Sequence, residues 1–374
     1  MSARVFIWVQ HLLGLGHFAR ARALAAALND AGFVVTLVGG GITPSDAEPR
    51  GHAFVQLPPA RAKDDLFDEL VDENGVLVDQ RWHETRRDAL LAAFDKARPD
   101  IVVTETFPFG RRLLNFELHA LIEAARTRAQ PPLIVASLRD ILQRPRKPDR
   151  AQAMVAYAQA NYDALLAHGD PSVVRLEESF AETAALAGRT HYTGYICANP
   201  HRVVSERTEI LVSAGGGAAG RVLIETALEA RALSRFTERP WTFVTGPLSD
   251  GPAPRKANEN VTIVRTLPDF RARLAHAAVS ISQAGYNTLV EAVAAGTPTL
   301  AVPFETDREK EQRMRADKFA ARGWIEMMAQ DALDPILLAA AIDDLAETRP
   351  PRAALNLDGA AGSAAALKKL LRRG

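Results

Sequence analysis

Along most of the chain, short apolar runs alternate with longer segments whose apolar residues recur every three or four positions. In the first half, Val5–Gln10 and Phe33–Val38 are apolar runs of strand length, and Phe18–Asn29 between them has helical spacing. Strands that alternate with helices indicate parallel βαβ units, because a parallel pair of strands needs a crossover connection. The same reading predicts strands at Asp100–Val103, Leu133–Ser137 and Ala164–His168, and a helix at Arg81–Ala97.

A break in this alternation near Gly194–Arg207 predicts a domain boundary. We expect an α/β protein with two doubly wound Rossmann-like domains at residues 1–198 and 199–374. An alternative to this division is that the terminal helix, Ala361–Arg373, packs back on the first domain. Residues 248–259 are rich in Pro and Gly and predict a loop. The second-half strands are predicted at Glu209–Ser213, Trp241–Thr245, Asn260–Val264, Val279–Ser282, Thr299–Val302 and Trp324–Met327, with a helix at Arg221–Ala230.

Composition narrows the function classes. The 374 residues carry 45 Lys+Arg and 45 Asp+Glu, and this zero net charge argues against a nucleic-acid partner. The one cysteine, Cys197, excludes an internal disulfide framework and an all-Cys metal site, and it fits a reducing cytoplasm. The sequence contains neither an Asp-x-Asp pair nor a His-Glu-x-x-His motif, so we expect no metal and no cofactor.

A glycine loop follows the first predicted strand and ends at His17, at the predicted start of the first helix. The positive end of a helix disfavours an imidazolium, so we expect His17 to be neutral and able to accept a proton. The alternative is that His17 only caps the helix. Gly14 and Gly16 shape the loop and Arg20 follows it, so these three are assigned to the loop or to the acceptor site.

Two carboxylates follow predicted strands of the first half, Glu105 and Asp140. Ligands of open parallel sheets lie beyond the carboxyl ends of the strands, so either carboxylate could orient His17 or bind an acceptor. Glu105 could instead cap a helix or form an ion pair with Arg111 or Arg112. Both carboxylates therefore stand as catalytic candidates beside His17.

A second glycine run, Gly215, Gly216 and Gly217, separates the predicted strand Glu209–Ser213 from a helix. Glycines there let the backbone approach a ligand closely, and we expect contact with phosphate or with a donor sugar. The run does not continue into the Lys-Ser/Thr of a P-loop, which argues against triphosphate hydrolysis. A tight turn without a ligand is the alternative.

The polar segment from Ser282 to Gln312 predicts a nucleotide-sugar site. A strand ends at Ser282 and a turn at Gly285 opens a helix, whose unpaired N–H groups suit a diphosphate. Glu291, about two turns into that helix, could accept hydrogen bonds from a ribose, or it could lie on a solvated helix face. The remaining diphosphate candidates are Asn287 and Thr288.

Glu311 and Gln312 form a second polar cluster after the next predicted strand. They could hold sugar hydroxyls, or they could belong to an exposed charged run. The order of phosphate site, ribose acceptor and sugar-binding pair favours the first interpretation.

These residues resemble the GT-B glycosyltransferases, in particular the MurG-like family 28 group, over most of the chain. Gly14-Leu15-Gly16-His17 resembles the N-terminal glycine loop of that group, and Gly215–Arg221 resembles its second loop, with Gly217 in place of a serine. The stretches His11–Arg20, Pro99–Leu118 and Ser137–Leu142 also resemble an uncharacterised branch of predicted bacterial glycosyltransferases.

The resemblance extends to the donor segment. Glu291 falls at the group's ribose-binding glutamate, and the backbone of Leu267 falls where the family meets uracil. Glu311 and Gln312 fall at a pair of sugar-contacting glutamines, so the first of the pair differs here. The resemblance implies an inverting, metal-independent transferase that takes a nucleotide sugar, with UDP as the nucleotide, and uses His17 as base.

Three other functions are compatible with the same residues. A UDP-sugar hydrolase would use His17 to activate water, and a UDP-sugar 2-epimerase would need further acid/base carboxylates in the site. A non-enzymatic nucleotide-sugar sensor would bind without turnover. The segment Pro58–Gly75 is interpreted either as a lid or as a variable surface loop.

We expect the acceptor to be a small molecule or a lipid-linked hydroxyl. We expect the protein itself to be cytoplasmic. The cluster of Phe107, Phe109 and residues 111–114 mixes apolar and basic groups, as a peripheral membrane patch at the inner face would. Its alternative is helix core with solvated arginines. No apolar stretch approaches the ~20 residues of a membrane-spanning helix.

Overall fold

The computed structural model divides the chain into two compact units and describes residues 2–43, 51–64, 68–197, 207–214, 218–246, 255–258, 260–306 and 309–372. Unit 1 comprises Met1–Ile196 together with Asn356–Gly374, and unit 2 comprises Cys197–Leu355. Each unit contains a mainly parallel sheet with helices. The predicted fold class, two Rossmann-like α/β halves, is confirmed.

The helices and strands are numbered along the chain. Those before residue 200 are β1 (Arg4–Val9), α1 (Gly16–Asp30), β2 (Val34–Gly39), β3 (Ala53–Gln56), β4 (Arg61–Ala62), β5 (Leu70–Val71), α2 (Gln80–Ala97), β6 (Ile101–Glu105), α3 (Asn115–Arg126), β7 (Leu133–Arg139), α4 (Pro148–Asn161), β8 (Ala164–His168), α5 (Leu176–Ser179) and β9 (Thr190–Tyr192). Those after it are β10 (Glu209–Ser213), α6 (Ala218–Leu233), β11 (Trp241–Val244), β12 (Arg255–Asn258), β13 (Val261–Val264), α7 (Phe270–His276), β14 (Ala277–Ser282), α8 (Tyr286–Ala295), β15 (Thr299–Ala301), α9 (Glu311–Ala320), β16 (Glu326–Met327), α10 (Pro335–Leu345) and α11 (Gly359–Leu371).

The sheet of unit 1 runs in the order β3-β2-β1-β6-β7-β8-β9, and its strand pairs are parallel. The order reverses between β1 and β6, so the loops that leave these two strands open on opposite sides of the sheet. Such a switch point is where open α/β sheets bind ligands. Residues that follow β1 and β6 therefore lie at the expected site of unit 1.

Unit 2 repeats this arrangement with the order β12-β13-β11-β10-β14-β15-β16. Its switch point lies between the parallel strands β10 and β14. The strand β12 is antiparallel to β13 at one edge, and this corrects our prediction of a loop over residues 248–259 as far as residues 255–258 are concerned. Residues 247–254 and 259 lie outside the described part of the chain.

Apolar residues of the central strand β1 alternate between the two faces of the unit 1 sheet. Phe6 and Trp8 join one buried cluster, and Val5, Ile7 and Val9 join another that includes helix α1. Because both faces are covered by helices, every residue of β1 after Arg4 is buried, as parallel sheets require.

The terminal helix α11 packs in unit 1 against α1, where Ala364 and Leu367 enter the buried cluster. Two glycines of this helix, Gly359 and Gly362, lie against the backbone that follows β9. A Cβ added at Gly362 would come within 2.4 Å of the Thr193 carbonyl oxygen, and one at Gly359 within 2.3 Å of the Gly194 oxygen. The close approach explains why this helix begins with two glycines.

Candidate active site

His17 is the second residue of α1, which begins directly after the glycine loop that leaves β1. Its Nδ1 lies 2.9 Å from Oε2 of Glu105, the last residue of the adjacent strand β6. The carboxyl group of Glu105 is 1% exposed, whereas the imidazole of His17 is 20% exposed. The fold thus brings together two of the predicted catalytic residues at the switch point of unit 1.

The Glu105 carboxylate is held from several sides. Arg20 donates from Nη2 to Oε1, Thr106 donates its hydroxyl to Oε2 at 2.8 Å, and Nη2 of Arg111 lies 3.9 Å from Oε2. Burial alone would raise the pKa of this carboxyl, but the hydrogen bond from His17 and the charges of Arg20 and Arg111 hold the pKa well below its ordinary value. Glu105 is therefore ionised and accepts hydrogen bonds only.

Ionised Glu105 fixes the tautomer of His17. A carboxylate cannot donate, so the proton of the hydrogen bond to Glu105 belongs to Nδ1, and Nε2 keeps its lone pair. Nη2 of Arg20 also lies 3.0 Å from Nδ1, but it donates to Oε1 of Glu105. Burial lowers the pKa of His17 to about 3, against the opposing influence of Glu105. The imidazole is accordingly neutral near neutral pH, and Nε2 is the atom able to accept a proton.

Asp140, the other carboxylate candidate, follows β7 and is fully buried. Its Oδ1 accepts a hydrogen bond from the Ile141 N–H at 3.0 Å. Its side chain also lies against Gly169, where an added Cβ would come within 2.8 Å of the Asp140 Cβ. Between the two candidates, the hydrogen bond to His17 is made by Glu105.

A buried ion pair that we did not predict supports the loops around His17. Arg86 of α2 and Glu117 of α3 are both 0% exposed and are joined at 2.6 Å. Arg86 also donates to the Gln10 side chain at 2.7 Å and to the Gly40 carbonyl at 2.8 Å. An added Cβ at Gly40 would come within 2.1 Å of Arg86 Nη2. No sequence pattern indicates this pair, because Arg86 lies in a helix rich in charged residues.

Ser282 and Gly285 lie at the switch point of unit 2. Ser282 ends β14 beside Ser213 of β10, and both hydroxyls are buried with no hydrogen-bond partner among the described residues. Gly285 is the N-cap of α8, and a Cβ added there would meet nothing within 4 Å. Asn287 and Thr288, both half-buried, lie in the first turn of that helix. The predicted phosphate residues Gly215, Gly216 and Gly217 lie outside the described residues.

Glu291 lies further along α8 and is paired in the structure with Arg271 of α7. Arg271 Nε donates to its Oε1 at 2.7 Å, and the Glu291 side chain is 13% exposed. Burial raises the pKa of Glu291, and Arg271 opposes the shift. Leu267 lies just before α7, and its carbonyl accepts the Phe270 N–H at 3.1 Å. A ribose at Glu291 would therefore share this carboxylate with Arg271.

Glu311 and Gln312 begin α9, and their surroundings differ from an exposed charged run. Glu311 is 5% exposed and accepts a hydrogen bond from Arg315 at 2.6 Å. The side-chain oxygen of Gln312 accepts the Phe304 N–H at 3.1 Å. The interpretation of Glu311 as a solvated charge is wrong, since its carboxylate is buried beside a cation.

The apolar-basic cluster after β6 belongs to the core. Phe107, Phe109 and Leu114 are at most 4% exposed, so these side chains do not form a membrane surface patch. In the described part of the chain, helices fall short of the length and apolarity needed to cross a membrane. The same residues hold no group of three or more His, Cys, Asp or Glu side chains arranged to bind a metal ion.

The segment after β3 has structure of its own. β4 and β5 form a small antiparallel sheet. The Leu12 carbonyl accepts the Ala62 N–H at 3.1 Å, and the Gln10 side chain donates to the Ala60 carbonyl at 2.8 Å. The described part of Pro58–Gly75 is therefore hydrogen-bonded to the residues that follow β1.

Two solved structures share this architecture over their whole length. The glycotransferase of kitacinnamycin matches with a TM-score of 0.63 at 16% identity, covering 100% of this chain and 99% of that chain. MurG of Acinetobacter baumannii matches with a TM-score of 0.54 at 15% identity, covering 100% of both chains. At these identities the likeness concerns the fold, and that fold is GT-B.

The C-terminal half also matches a known domain family in sequence. Residues 210–370 match the glycosyltransferase family 28 C-terminal domain. One relative, from Methylibium petroleiphilum, is 36% identical over 131 residues, which are 33% of this chain and 36% of that protein. It is a UDP-N-acetylglucosamine–N-acetylmuramyl-(pentapeptide) pyrophosphoryl-undecaprenol N-acetylglucosamine transferase. The matched region thus spans about a third of that relative's length.

Proposed function

We propose that this protein is an inverting, metal-independent glycosyltransferase that moves a sugar from a UDP-sugar to an acceptor hydroxyl. The observation that carries the proposal is the His17–Glu105 pair at the switch point of unit 1, with Nδ1 and Oε2 2.9 Å apart. The family 28 domain at residues 210–370 supports a nucleotide-sugar donor. The activity of the Methylibium relative, which takes a UDP-sugar, supports UDP as the nucleotide of the donor.

In the proposed reaction, Nε2 of His17 takes the proton of the acceptor hydroxyl. The acceptor oxygen forms a bond to the anomeric carbon while the bond from that carbon to the diphosphate oxygen breaks, and UDP leaves. Ionised Glu105 stabilises the imidazolium that forms and keeps Nε2 directed outward. The N–H groups at the start of α8 and the Ser282 hydroxyl would stabilise the leaving diphosphate.

The test is His17→Ala, which removes the proton acceptor and leaves unit 2 unchanged. We expect turnover to fall by roughly 10²–10⁴-fold, the usual contribution of a general base. UDP affinity, measured by calorimetry, should stay within about twofold, less than one charged hydrogen bond contributes. His119→Ala, at an exposed position of α3, is the matched control. Unchanged turnover in His17→Ala would contradict the proposed role.

Consumption of UDP-sugar without an acceptor distinguishes transfer from hydrolysis. A transferase should release UDP only slowly until an acceptor hydroxyl is supplied, whereas a hydrolase would proceed with water. Binding of UDP without any turnover would indicate a sensor. We propose that the protein is cytoplasmic and that its acceptor is either lipid-linked or small and soluble. Pelleting with liposomes measures the membrane binding that a lipid-linked acceptor would require.

A further inference from the structure

Arg315 is a buried cation on a helix whose other cations are partly exposed. It lies one turn after Glu311 in α9 and is 1% exposed. Arg313, two residues earlier, is 36% exposed and pairs with Asp317 in the ordinary manner of a surface helix. A buried guanidinium is stable only when its N–H groups are satisfied, so its partners indicate what it does.

Two partners of Arg315 lie on either side of the Gly285 turn. Nη1 donates to the carbonyl oxygen of Ala284 at 2.9 Å, and the guanidinium carbon lies 5.6 Å from the centre of the Tyr286 ring. Nη2 donates to Glu311 at 2.6 Å. One guanidinium therefore holds the residues before and after Gly285, and Glu311 supplies the opposite charge.

The turn that Arg315 holds is the proposed diphosphate site. α8 opens with the hydrogen bond from the Leu289 N–H to the Gly285 carbonyl at 3.0 Å, and the N–H groups of a helix's first turn point out of its N-terminus. In the described part of the chain, nothing occupies the space beside Gly285, and the buried hydroxyl of Ser282, three residues before it, has no hydrogen-bond partner. Amide groups stabilise a diphosphate only if their directions are fixed before binding.

We infer that Arg315 is a positioning residue for the donor diphosphate and that Glu311 is its counterion. This inference rests on the proposed function and sharpens it. Arg315 orients the Gly285 turn through Ala284 and Tyr286 and does not itself touch the donor. Glu311 accordingly acts on the phosphate side of the site, through Arg315, and is not an acceptor for sugar hydroxyls. Lysine would not replace Arg315 fully, because an ammonium lacks the planar fork that spans both partners.

The experiment compares the affinities of UDP and uridine for the full chain by calorimetry. Arg315→Met keeps the apolar stem and removes the fork, and Glu311→Gln keeps the shape and removes the charge. We expect UDP affinity to fall about tenfold or more in Arg315→Met, the scale of one charge-assisted hydrogen bond, and less in Glu311→Gln. Uridine affinity should stay unchanged in both. Arg313→Met on the exposed face is the matched control, and Arg315→Lys should restore part of the loss.

The outcomes separate this inference from its alternatives. Equal losses for UDP and uridine would indicate a general structural role and overturn it. A Glu311→Gln variant with unchanged UDP affinity but an altered preference among UDP-sugars would make Glu311 a sugar contact. If Arg315→Met does not fold, as judged by circular dichroism, Glu311→Gln and Arg315→Lys decide the question. Wild-type protein that binds neither UDP, GDP nor TDP overturns the proposed function, whereas wild-type binding with unaltered variants overturns this inference alone.

Discussion

At the scale of single residues, the chemistry of this protein depends on which partner each ionisable group has. His17 and Glu105 are 88 positions apart in the chain and make one hydrogen-bonded pair. Glu311 and Arg315 are one helical turn apart and both buried. The sequence analysis named His17, Glu105 and Glu311 but not Arg315. It kept both Glu105 and Asp140 as candidates, because strand ends alone do not fix a distance.

The lowered pKa of His17 predicts how activity depends on pH. The imidazole has a pKa of about 3 instead of 6.5, because it is buried, so it stays neutral as pH falls through 6.5. We expect the acid limb of kcat/KM to lie well below pH 6.5, since that profile reports the ionisation of the free enzyme. An acid limb near 6.5 that disappears in His17→Gln would contradict this expectation.

The same shift has a consequence for stability. The unfolded chain binds a proton at His17 below about pH 6.5, whereas the folded chain does so only near pH 3, so acid favours unfolding across that window. The control for the kinetic profile is therefore the urea concentration at the midpoint of unfolding, measured at each pH of that profile. Only pH values at which the enzyme is folded enter the comparison.

At the scale of elements, the central strands were predictable and the edges were not. β8 and β10 have the predicted bounds, and β1 is shifted by one residue, because continuous apolar runs are characteristic of buried parallel strands. The edge strand β3 was missed, since its residues are partly exposed and form no such run, and the edge strand β12 was missed as well. The helices α3, α4, α7 and α10 were not assigned either.

The glycines of α11 give a test of helix packing. Gly362→Ala should lower the free energy of unfolding by about 1–3 kcal/mol, since a Cβ there forces the helix off the Thr193 backbone. The intrinsic helix preference of alanine opposes this loss by up to about 1 kcal/mol. Urea unfolding measures the change. Gly188→Ala, where a Cβ would meet nothing within 4 Å, is the control and should be nearly neutral.

At the scale of the whole molecule, unit 1 is built from two separated parts of the chain. The backbone carbonyl of Asn356 accepts a hydrogen bond from the Tyr195 N–H at 2.8 Å, and Leu367 of α11 is completely buried in the unit 1 core. Residues that follow unit 2 in sequence thus complete unit 1. A single boundary in the sequence therefore cannot separate the two units, because unit 1 includes residues from both ends of the chain.

Deletion of residues 356–374 should therefore destabilise the N-terminal unit. The loss of one fully buried leucine alone costs roughly 1.5–3 kcal/mol, and the uncovered face of α1 adds to it. Hydrogen exchange followed by mass spectrometry resolves the two units. Amides of β1 and β2 should lose protection, while those of β10 and β14 change little. Deletion of residues 373–374 is the control, and equal protection in both deletions would contradict the packing.

The sequence by itself determined the alternation of strands and helices, the two-unit architecture, and the positions where glycine turns leave strands. These are local properties, since hydrophobic period and backbone freedom act over a few residues. The tertiary structure decided which charges meet: Glu105 with His17, Arg86 with Glu117, and Arg315 with Glu311 and the Gly285 turn. A buried charge is stabilised by its partners in space, and sheet order and helix packing determine which partners come within reach.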